Sequence, residues 1–501
     1  MSRVAMYTLT LGLSWLIVGC AQLPDWENKA SLAESAPLEF SASSAVEPMD
    51  WPQDQWWQRY GSEQLNGLVS EALLGAPDMA AAAARLRQAQ ALLEATASAR
   101  RPQLSAHARI VGNQLSDDFW LPNLLPMRGV DKFGSVTLDA SWSLDLWGKH
   151  RAAIAAAAGE LQAHEADAAQ ARLVLVSGVA AGYAALVRLS AMENTLAQSL
   201  ALREATVRLF AERFDNGLEN QGSVHSAKAR MAAARMELAQ AQEQMALQRH
   251  ALAALIGARP DRGEAIVVAH ADLNQPWRQQ WGWPESLSLN LLGRRPDVVA
   301  ARLQAQALES RVAVKQAQFY PDVNLAAVVG VQSVDLDMLL QRSLDISRVG
   351  AAISLPIFSG GRLRAELGAA RARYDEAVAL YRKTLNHALR EVADNAVSQR
   401  ALQQQLAAMQ QAVDSAAQAQ RVARARYAGG VASNLEVLAA DDQWLVNMRQ
   451  MVQVQARALS LDIDLHRVLG GGWQESPAQA SSEGVLARWL NPEFPNGATH
   501  E

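Results

Sequence analysis

Four segments of the chain alternate between apolar and polar positions. They lie at about 103–113, 133–147, 322–332 and 348–358. In the second segment every even position from 136 to 146 is apolar, whereas the odd positions carry Ser, Thr or Asp. Such alternation predicts a β-strand with one apolar and one polar face, and each segment has the length of a tilted transmembrane strand.

The strands are followed by unusually long helical patterns. From Leu363 the apolar positions repeat every eleven residues, a period that keeps neighbouring helices nearly straight. From Leu402 the period shortens to seven residues, which winds helices into a left-handed coiled coil. The helix expected from about Lys149 to Asp215 would be about 100 Å long at 1.5 Å per residue. A helix of that length must line a tube, a bundle or a stalk.

The chain contains two copies of one unit, because several landmarks recur in the same order at a nearly constant offset. Residues 77–102 align without gaps on residues 296–321, and the turn near Gly217 corresponds to the turn near Gly430. Each half therefore predicts a helix, two strands, a very long helix, a tip and a second helix. The resulting division is a signal peptide (1–19), a tether with an equatorial segment (20–60), a first repeat (61–257), an equatorial segment (258–295), a second repeat (296–472) and a C-terminal equatorial segment or tail (473–501).

Four strands are too few to close a barrel, since the smallest single-chain barrels have about eight. Two interpretations follow from the residues alone. The strands form a soluble sheet with one wet face, or several chains assemble to close the wall. Three copies of the chain would supply twelve strands.

The first twenty residues have the features of a secretory signal that ends at a lipidation site. Arg3 opens a basic region, the run to Val18 is mostly apolar, and Gly19 precedes Cys20, the only cysteine. This pattern resembles the bacterial lipobox and predicts that Cys20 becomes an N-palmitoylated, S-diacylglycerol-modified N-terminus. The alternative is an ordinary signal peptide with a chance cysteine. No apolar stretch of about 18 residues follows, so we expect no transmembrane helix and a span built from strands.

Composition and motifs exclude several functional classes. The formal net charge of −5 gives no electrostatic reason to expect a nucleic-acid partner. His164 and Glu165 are not followed by the second histidine of a zinc-protease motif, and the chain has no glycine-rich phosphate loop. We therefore expect no catalytic residues, no metal, no cofactor and no enzymatic activity.

Six segments together resemble the TolC-like outer-membrane efflux factors, specifically the lipidated (NodT/OprM-like) branch that serves resistance–nodulation–division (RND) pumps. The segments are the lipobox at 16–20, Trp56–Trp57, Gly293–Asp297 (GRRPD), Phe319–Pro321 (FYP), Leu355–Gly361 (LPIFSGG) and Leu469–Trp473 (LGGGW). The resemblance covers essentially the whole mature chain. It implies a mainly helical homotrimer with a shared twelve-stranded transmembrane β-barrel and a periplasmic α-helical tunnel. It also implies a location in the cell outer membrane, in contact with its lipid, and two partners: a periplasmic adaptor protein and an inner-membrane pump of RND type.

The resemblance also assigns candidate site residues at the far end of the helices. The adaptor-docking tips are Gly217, Leu218, Gly429, Gly430 and Val431. The family closes its periplasmic mouth with rings of leucine and aspartate after the second tip. The gate candidates are Leu435, Asp441, Asp442 and Tyr427. The position of the usual gate acid holds Ala439 here, so the chain departs from the pattern, and Asp441 and Asp442 could instead form a solvated face or pair with Arg449.

The function that these features favour is a passive exit duct for small molecules in a tripartite efflux system. Two alternatives stay open. The chain could be the outer-membrane channel of a type I (ABC) system that secretes proteins or peptides. It could also be a structural coiled-coil lipoprotein, although the four alternating segments argue against that interpretation.

Overall fold

The computed structural model of the protein describes residues 30, 32, 50–114, 130–268, 293–333 and 345–475. Cys20 and most of the expected equatorial segments lie outside these residues. The helices are a 3-10 turn at Trp56–Tyr60, α1 (Glu63–Gly75), α2 (Pro77–Ser98), α3 (Lys149–Asp215), α4 (Gln221–Leu255), α5 (Pro260–Glu264), α6 (Pro296–Ala317), α7 (Arg362–Ala428) and α8 (Asn434–Val468). The strands are β1 (Gln103–Gln114), β2 (Val130–Leu144), β3 (Asp322–Ser333) and β4 (Asp345–Ser354).

The four strands form one antiparallel sheet in the order β1-β2-β3-β4. The central pairing joins the two halves of the chain, with Trp142 of β2 opposite Leu325 of β3. β2 ends three residues earlier than the alternation predicts. Asp145 accepts hydrogen bonds from the backbone N–H groups of His150 (2.9 Å) and Arg151 (2.8 Å), and these bonds turn the chain into α3. β4 also lies earlier than the expected 348–358, since it begins at Asp345 and ends at Ser354. Pro356 follows, and a proline cannot donate a backbone hydrogen bond to the sheet.

The two halves of the chain repeat the same elements at the same lengths. α2 and α6 each have 22 residues, α3 and α7 each have 67, and α4 and α8 each have 35. A helix of 67 residues is about 100 Å long. The expected fold class, long helical hairpins with four strands per chain, is confirmed.

Corresponding glycines end the second helix of each hairpin. Gly257 after α4 and Gly470 after α8 both have a left-handed φ, of 75° and 87°. A Cβ atom at Gly257 would collide with the carbonyl oxygen of Gly75, and one at Gly470 with the carbonyl oxygen of Arg294. Each hairpin therefore returns to lie against the backbone that leads into α2 or α6, and only glycine allows that approach.

A buried charge network connects α6, α7 and α8 in the second half of the chain. Arg295, only 4% exposed, bonds Asp297 (2.6 Å) at the start of α6 and Glu391 (2.8 Å) on α7. Glu391 also accepts from Arg467 of α8 at 2.9 Å. The two acceptors neutralise a guanidinium that would be costly to bury alone.

One helix of the described part is apolar enough to cross a membrane by length and composition, contrary to the expectation that no such stretch exists. An 18-residue window of α3 has a mean hydropathy of 1.7, and 61% of it is buried within the protomer. The apolar side chains of α3 pack against other helices. Val179 and Leu186 of α3, for example, share a buried core with Leu252 of α4. The apolar composition of α3 is therefore also that of a long helix packed in the core.

Candidate functional site

The two hairpin turns lie together at the end of the molecule that α3 and α7 carry about 100 Å away from the sheet. Gly217 and Gly430 supply the left-handed φ values of 70° and 74° that the turns need. Leu218 and Val431 project from the turns and are 66% and 68% exposed. Gly429 ends α7, and its N–H group donates to the carbonyl of Ala425 at 3.0 Å.

Tyr427 connects the two tips. Its hydroxyl donates to Glu219 of the first turn at 2.9 Å, and its ring lies 5.8 Å from that of Phe210, which is fully buried on α3. The guanidinium of Arg213 stacks over the same ring at 4.4 Å. Asn434, the first residue of α8, adds hydrogen bonds to Glu219 and to Ser223. The first hairpin and the second hairpin are therefore bonded to each other at the tip.

The same contact shifts two pKa values in opposite directions. Burial, the hydrogen bond to Glu219 and the charge of that carboxylate raise the pKa of Tyr427 from 10.0 to about 12. Burial acts against ionisation of Glu219, but hydrogen bonds from Asn220, Ser223 and Tyr427 outweigh it, so the pKa of Glu219 falls below 4.5. Both shifts favour the neutral phenol beside the carboxylate.

Asp442 forms a second connection between the hairpins. It lies on α8 and bonds Arg203 of α3, while its other oxygen lies 3.6 Å from Nε of Arg230 on α4. Arg203 is 6% exposed, whereas the side chain of Asp442 is 43% exposed. One carboxylate thus holds three helices together through two arginines.

Asp441 has a different environment from its neighbour. Its side chain is fully buried between α7 and α8, where it accepts hydrogen bonds from Nε (3.2 Å) and Nη2 (3.1 Å) of Arg424 and from Gln420 (3.0 Å). The suggested partner Arg449 instead bonds Glu237 at 2.6 Å. Asp441 therefore holds the second hairpin together within the protomer.

Of the other expected gate residues, Leu435 lies in the first turn of α8 and is 66% exposed. Three residues of the site, Arg203, Arg230 and Glu219, are not predicted from the sequence. One signal for Arg203 was available: it occupies the buried stripe of α3 formed by Leu196, Ser199, Thr206 and Phe210. A charged residue on such a stripe needs a partner. Within the described ranges, no group of three or more His, Cys, Asp or Glu side chains could hold a metal ion.

The chain is similar in sequence and in structure to known outer-membrane proteins. The family model described as "Outer membrane efflux protein" matches residues 68–258 and 287–471. The chain is 30% identical over 485 residues to the multidrug resistance outer membrane protein MdtP of Escherichia coli K12, covering 95% of this chain and 98% of that protein. It is also 30% identical over 490 residues to the pyoverdine export outer membrane protein OpmQ of Pseudomonas aeruginosa, covering 94% and 98%. The crystal structure of the outer membrane protein VceC from Vibrio cholerae superposes with a TM-score of 0.79 at 42% identity, covering 85% of this chain and all of that one.

Proposed function

The chain belongs to the outer membrane efflux protein family, and from that premise we propose that it forms the outer-membrane exit duct of a tripartite efflux system for small molecules. The family is one of outer-membrane efflux proteins and not of enzymes. The duct is passive, so a partner in the inner membrane supplies the energy.

The observation that carries this proposal is a four-stranded sheet attached to hairpins about 100 Å long. In one protomer β1 and β4 are edge strands with unpaired backbone groups, which cannot be left open in lipid. Pairing β4 of one copy with β1 of the next satisfies both edges. Three copies then close a twelve-stranded barrel, and their hairpins continue it as a tunnel.

The proposed gate is the set of contacts that tie the two hairpins together near the tips. Tyr427 with Glu219, and Asp442 with Arg203, hold the second hairpin against the first. When these contacts are made, the hairpins cannot separate and the mouth stays narrow. We also propose that Leu435 lines that mouth, and its exposure in the first turn of α8 supports this. Asp441 supports the gate indirectly, because it fixes α8 on α7.

The proposed partners are a periplasmic adaptor, an inner-membrane pump and the lipid of the outer membrane. Leu218 and Val431 are large apolar side chains exposed on the two turns, as a docking surface for a periplasmic adaptor requires. The adaptor links the duct to an inner-membrane pump of RND type. A lipid on Cys20 is proposed to anchor the chain in the outer membrane.

A complementation experiment tests the duct. In a strain that lacks this gene, fluorescent dyes and antibiotics should accumulate, and the wild-type chain should restore their export. The variant Leu218→Ser/Val431→Ser should reach the outer membrane but restore export poorly, because it has lost the apolar tips.

The matched control is Leu247→Ser, which removes a side chain of similar exposure (59%) from the surface of α4. It should restore export fully. Normal export by the tip variant would contradict the proposed docking surface but not the proposed duct. Unchanged accumulation of every compound in the deletion strain would contradict small-molecule efflux, and secretion of proteins or peptides would then be the function to test.

A further inference from the structure

A cavity of about 190 Å³ lies beside Tyr427, between the first hairpin and the second. Its walls come from α3, α7 and α8, and the lining residues are Ala205, Thr206, Leu209, Arg213, Arg424, Tyr427, Ala428 and Val437. A protein cavity of roughly 150 Å³ is large enough to hold a benzene ring. The cavity therefore has room for one small ring that carries a substituent.

The lining of this cavity combines apolar side chains with positive charge. Leu209 of α3 and Val437 of α8 are aliphatic, and Tyr427 adds an aromatic ring. Arg213 and Arg424 also line the cavity, whereas among the described residues no carboxylate does. A lining of this kind is complementary to a ligand that has an apolar body and a negative charge.

Arg213 brings a positive charge that no carboxylate bonds. Its guanidinium stacks over the ring of Tyr427 at 4.4 Å, and in the described part of the chain it forms no ion pair. The carboxylate of Glu219 instead accepts hydrogen bonds from Tyr427, Ser223 and Asn434. Only Nε of Arg213 is closed off from solvent, so Nη1 and Nη2 remain open to a ligand.

Arg424 supplies a further donor on the second hairpin. Its Nε and Nη2 atoms donate to Asp441 at 3.2 and 3.1 Å, and this carboxylate matches its charge. Nη1 has no acceptor among the described residues and is not closed off from solvent. The cavity is thus lined by one unmatched cation on α3 and one free N–H donor group on α7.

We propose that this cavity binds a small organic carboxylate with a compact apolar ring, and that the bound ligand holds the first hairpin against the second. The ring loses contact with water between Leu209 and Val437, and the carboxylate accepts charge-assisted hydrogen bonds from the guanidinium groups. The inference rests on the proposed function only where it connects the ligand with the gate. A ligand that contacts both α3 and α7 favours the closed mouth.

Thermal unfolding of the purified full-length protein in detergent tests the site. Benzoate is the probe, benzamide is the uncharged analogue of the same shape, and acetate is the anion without a ring. At neutral pH and constant ionic strength we expect a saturable rise in the melting temperature with benzoate and a much smaller rise with either reference compound. For a ligand of this size, half of the response should be reached at about 1–10 mM.

Two variants and two matched controls locate the response. Arg213→Gln removes the unmatched charge, so the benzoate concentration at half-maximal response should rise about tenfold. Ala205→Leu fills the cavity from an exposed position of α3 and should abolish the response. Arg208→Gln and Ala201→Leu make the same changes at exposed positions of α3 that do not line the cavity, and they should leave the response unchanged.

Conductance in planar bilayers tests the effect of the ligand on the gate. Benzoate should lower the conductance of the wild-type protein over the concentration range of the melting response, and it should not affect Ala205→Leu. A melting response in the wild type without any change in conductance would overturn the connection with the gate.

The remaining outcomes separate the cavity from the duct. A wild-type protein without a saturable benzoate response overturns the proposal, and so does an equal response in Ala205→Leu, which would place the bound benzoate elsewhere. An equal response to benzamide overturns the assignment of a carboxylate. If the benzoate response is absent while the wild-type chain restores export in cells, the proposed function stands without the site. If the response is present while the deletion strain accumulates no compound, the site stands and the proposed function fails.

Discussion

The hydroxyl of Tyr427 donates a 2.9 Å hydrogen bond to Glu219, and through it the last turn of α7 is bonded to the turn between α3 and α4. The two residues are 208 positions apart in the chain and belong to opposite halves of the duplicated unit. The contact therefore couples the two hairpins at the point where a tunnel would have to widen.

Replacing Tyr427 with Phe should favour the open mouth. The ring still packs on Phe210 and under Arg213, and only the hydrogen bond to Glu219 is lost. A hydrogen bond to a charged acceptor contributes about 1.5 kcal/mol or more, so the closed-to-open ratio should fall about tenfold or more. Conductance of the purified protein in planar bilayers measures this. An unchanged conductance, with the melting temperature also unchanged, would remove Tyr427 from the gate.

Acid should open the same contact. The pKa of Glu219 is lower in the folded protein than 4.5, so the stabilisation is present above pH 4.5 and is lost as the pH falls through the folded pKa. The pKa of Tyr427 is raised to about 12, so its share is present below pH 10 and is lost as the pH rises through about 12. Conductance should be flat between these limits and rise below pH 4.5. The acid rise should be smaller in Tyr427→Phe, where Glu219 has already lost the hydrogen bond from Tyr427 and keeps only that from Asn434 across the two hairpins. An equal rise in both proteins would assign it to other groups.

The neighbours Asp441 and Asp442 should respond differently to replacement by Ala. Asp441→Ala leaves Gln420 and Arg424 without their acceptor inside one hairpin, at a cost of about 1–3 kcal/mol in the free energy of unfolding. Asp442→Ala instead releases α8 from Arg203, which should raise conductance with a smaller loss of stability. Parallel melting and bilayer measurements on the two variants test this assignment. The reverse pattern, with Asp441→Ala as the conducting variant, would show that the buried residue controls the mouth.

Much of this architecture follows from period and repetition in the sequence. Alternation located the strands because one sheet face is apolar, and the duplication fixed the order of elements in both halves. The limits of α3 at Lys149 and Asp215 agree with the expected ones because a glycine precedes the helix and a glycine-bearing turn follows it. The end of β2 was missed because Asp145 caps α3 through its side chain, which the alternation rule treats as one more polar position.

The candidate site was less predictable than the fold. The tip glycines are visible in the sequence, but Arg203 and Glu219 acquire their roles from residues more than 200 positions away. Nothing local distinguishes Asp441 from Asp442, although one is fully buried and the other half-exposed. They differ because successive side chains leave a helix in different directions, so that Asp441 faces α7 and Asp442 faces α3.

Two adjacent arginines of the GRRPD segment should differ sharply in their effect on stability. Arg295→Ala leaves the carboxylates of Asp297 and Glu391 without their shared partner, and should cost about 3–5 kcal/mol. Arg294→Ala removes a guanidinium that lies 4.6 Å from the ring of Trp51, a contact that contributes about 0.5–2 kcal/mol at a partly buried site. Melting temperatures of the two variants give the comparison. Equal losses would mean that the buried network does not stabilise the second half.

The glycines that end the two hairpins provide the sharpest test of the duplication. Gly257→Ala and Gly470→Ala each combine a left-handed φ with a collision against a backbone carbonyl, so neither can be accommodated by a side-chain movement. Each should cost more than about 2 kcal/mol, since the left-handed conformation alone costs a non-glycine residue about 1–2 kcal/mol. Gly430→Ala is the matched control, because it has a similar φ of 74° and open space around the added carbon. Its loss should be limited to the conformational cost. If Gly430→Ala were as destabilising as the other two in thermal unfolding, close backbone approach would not be the reason that both halves end in glycine.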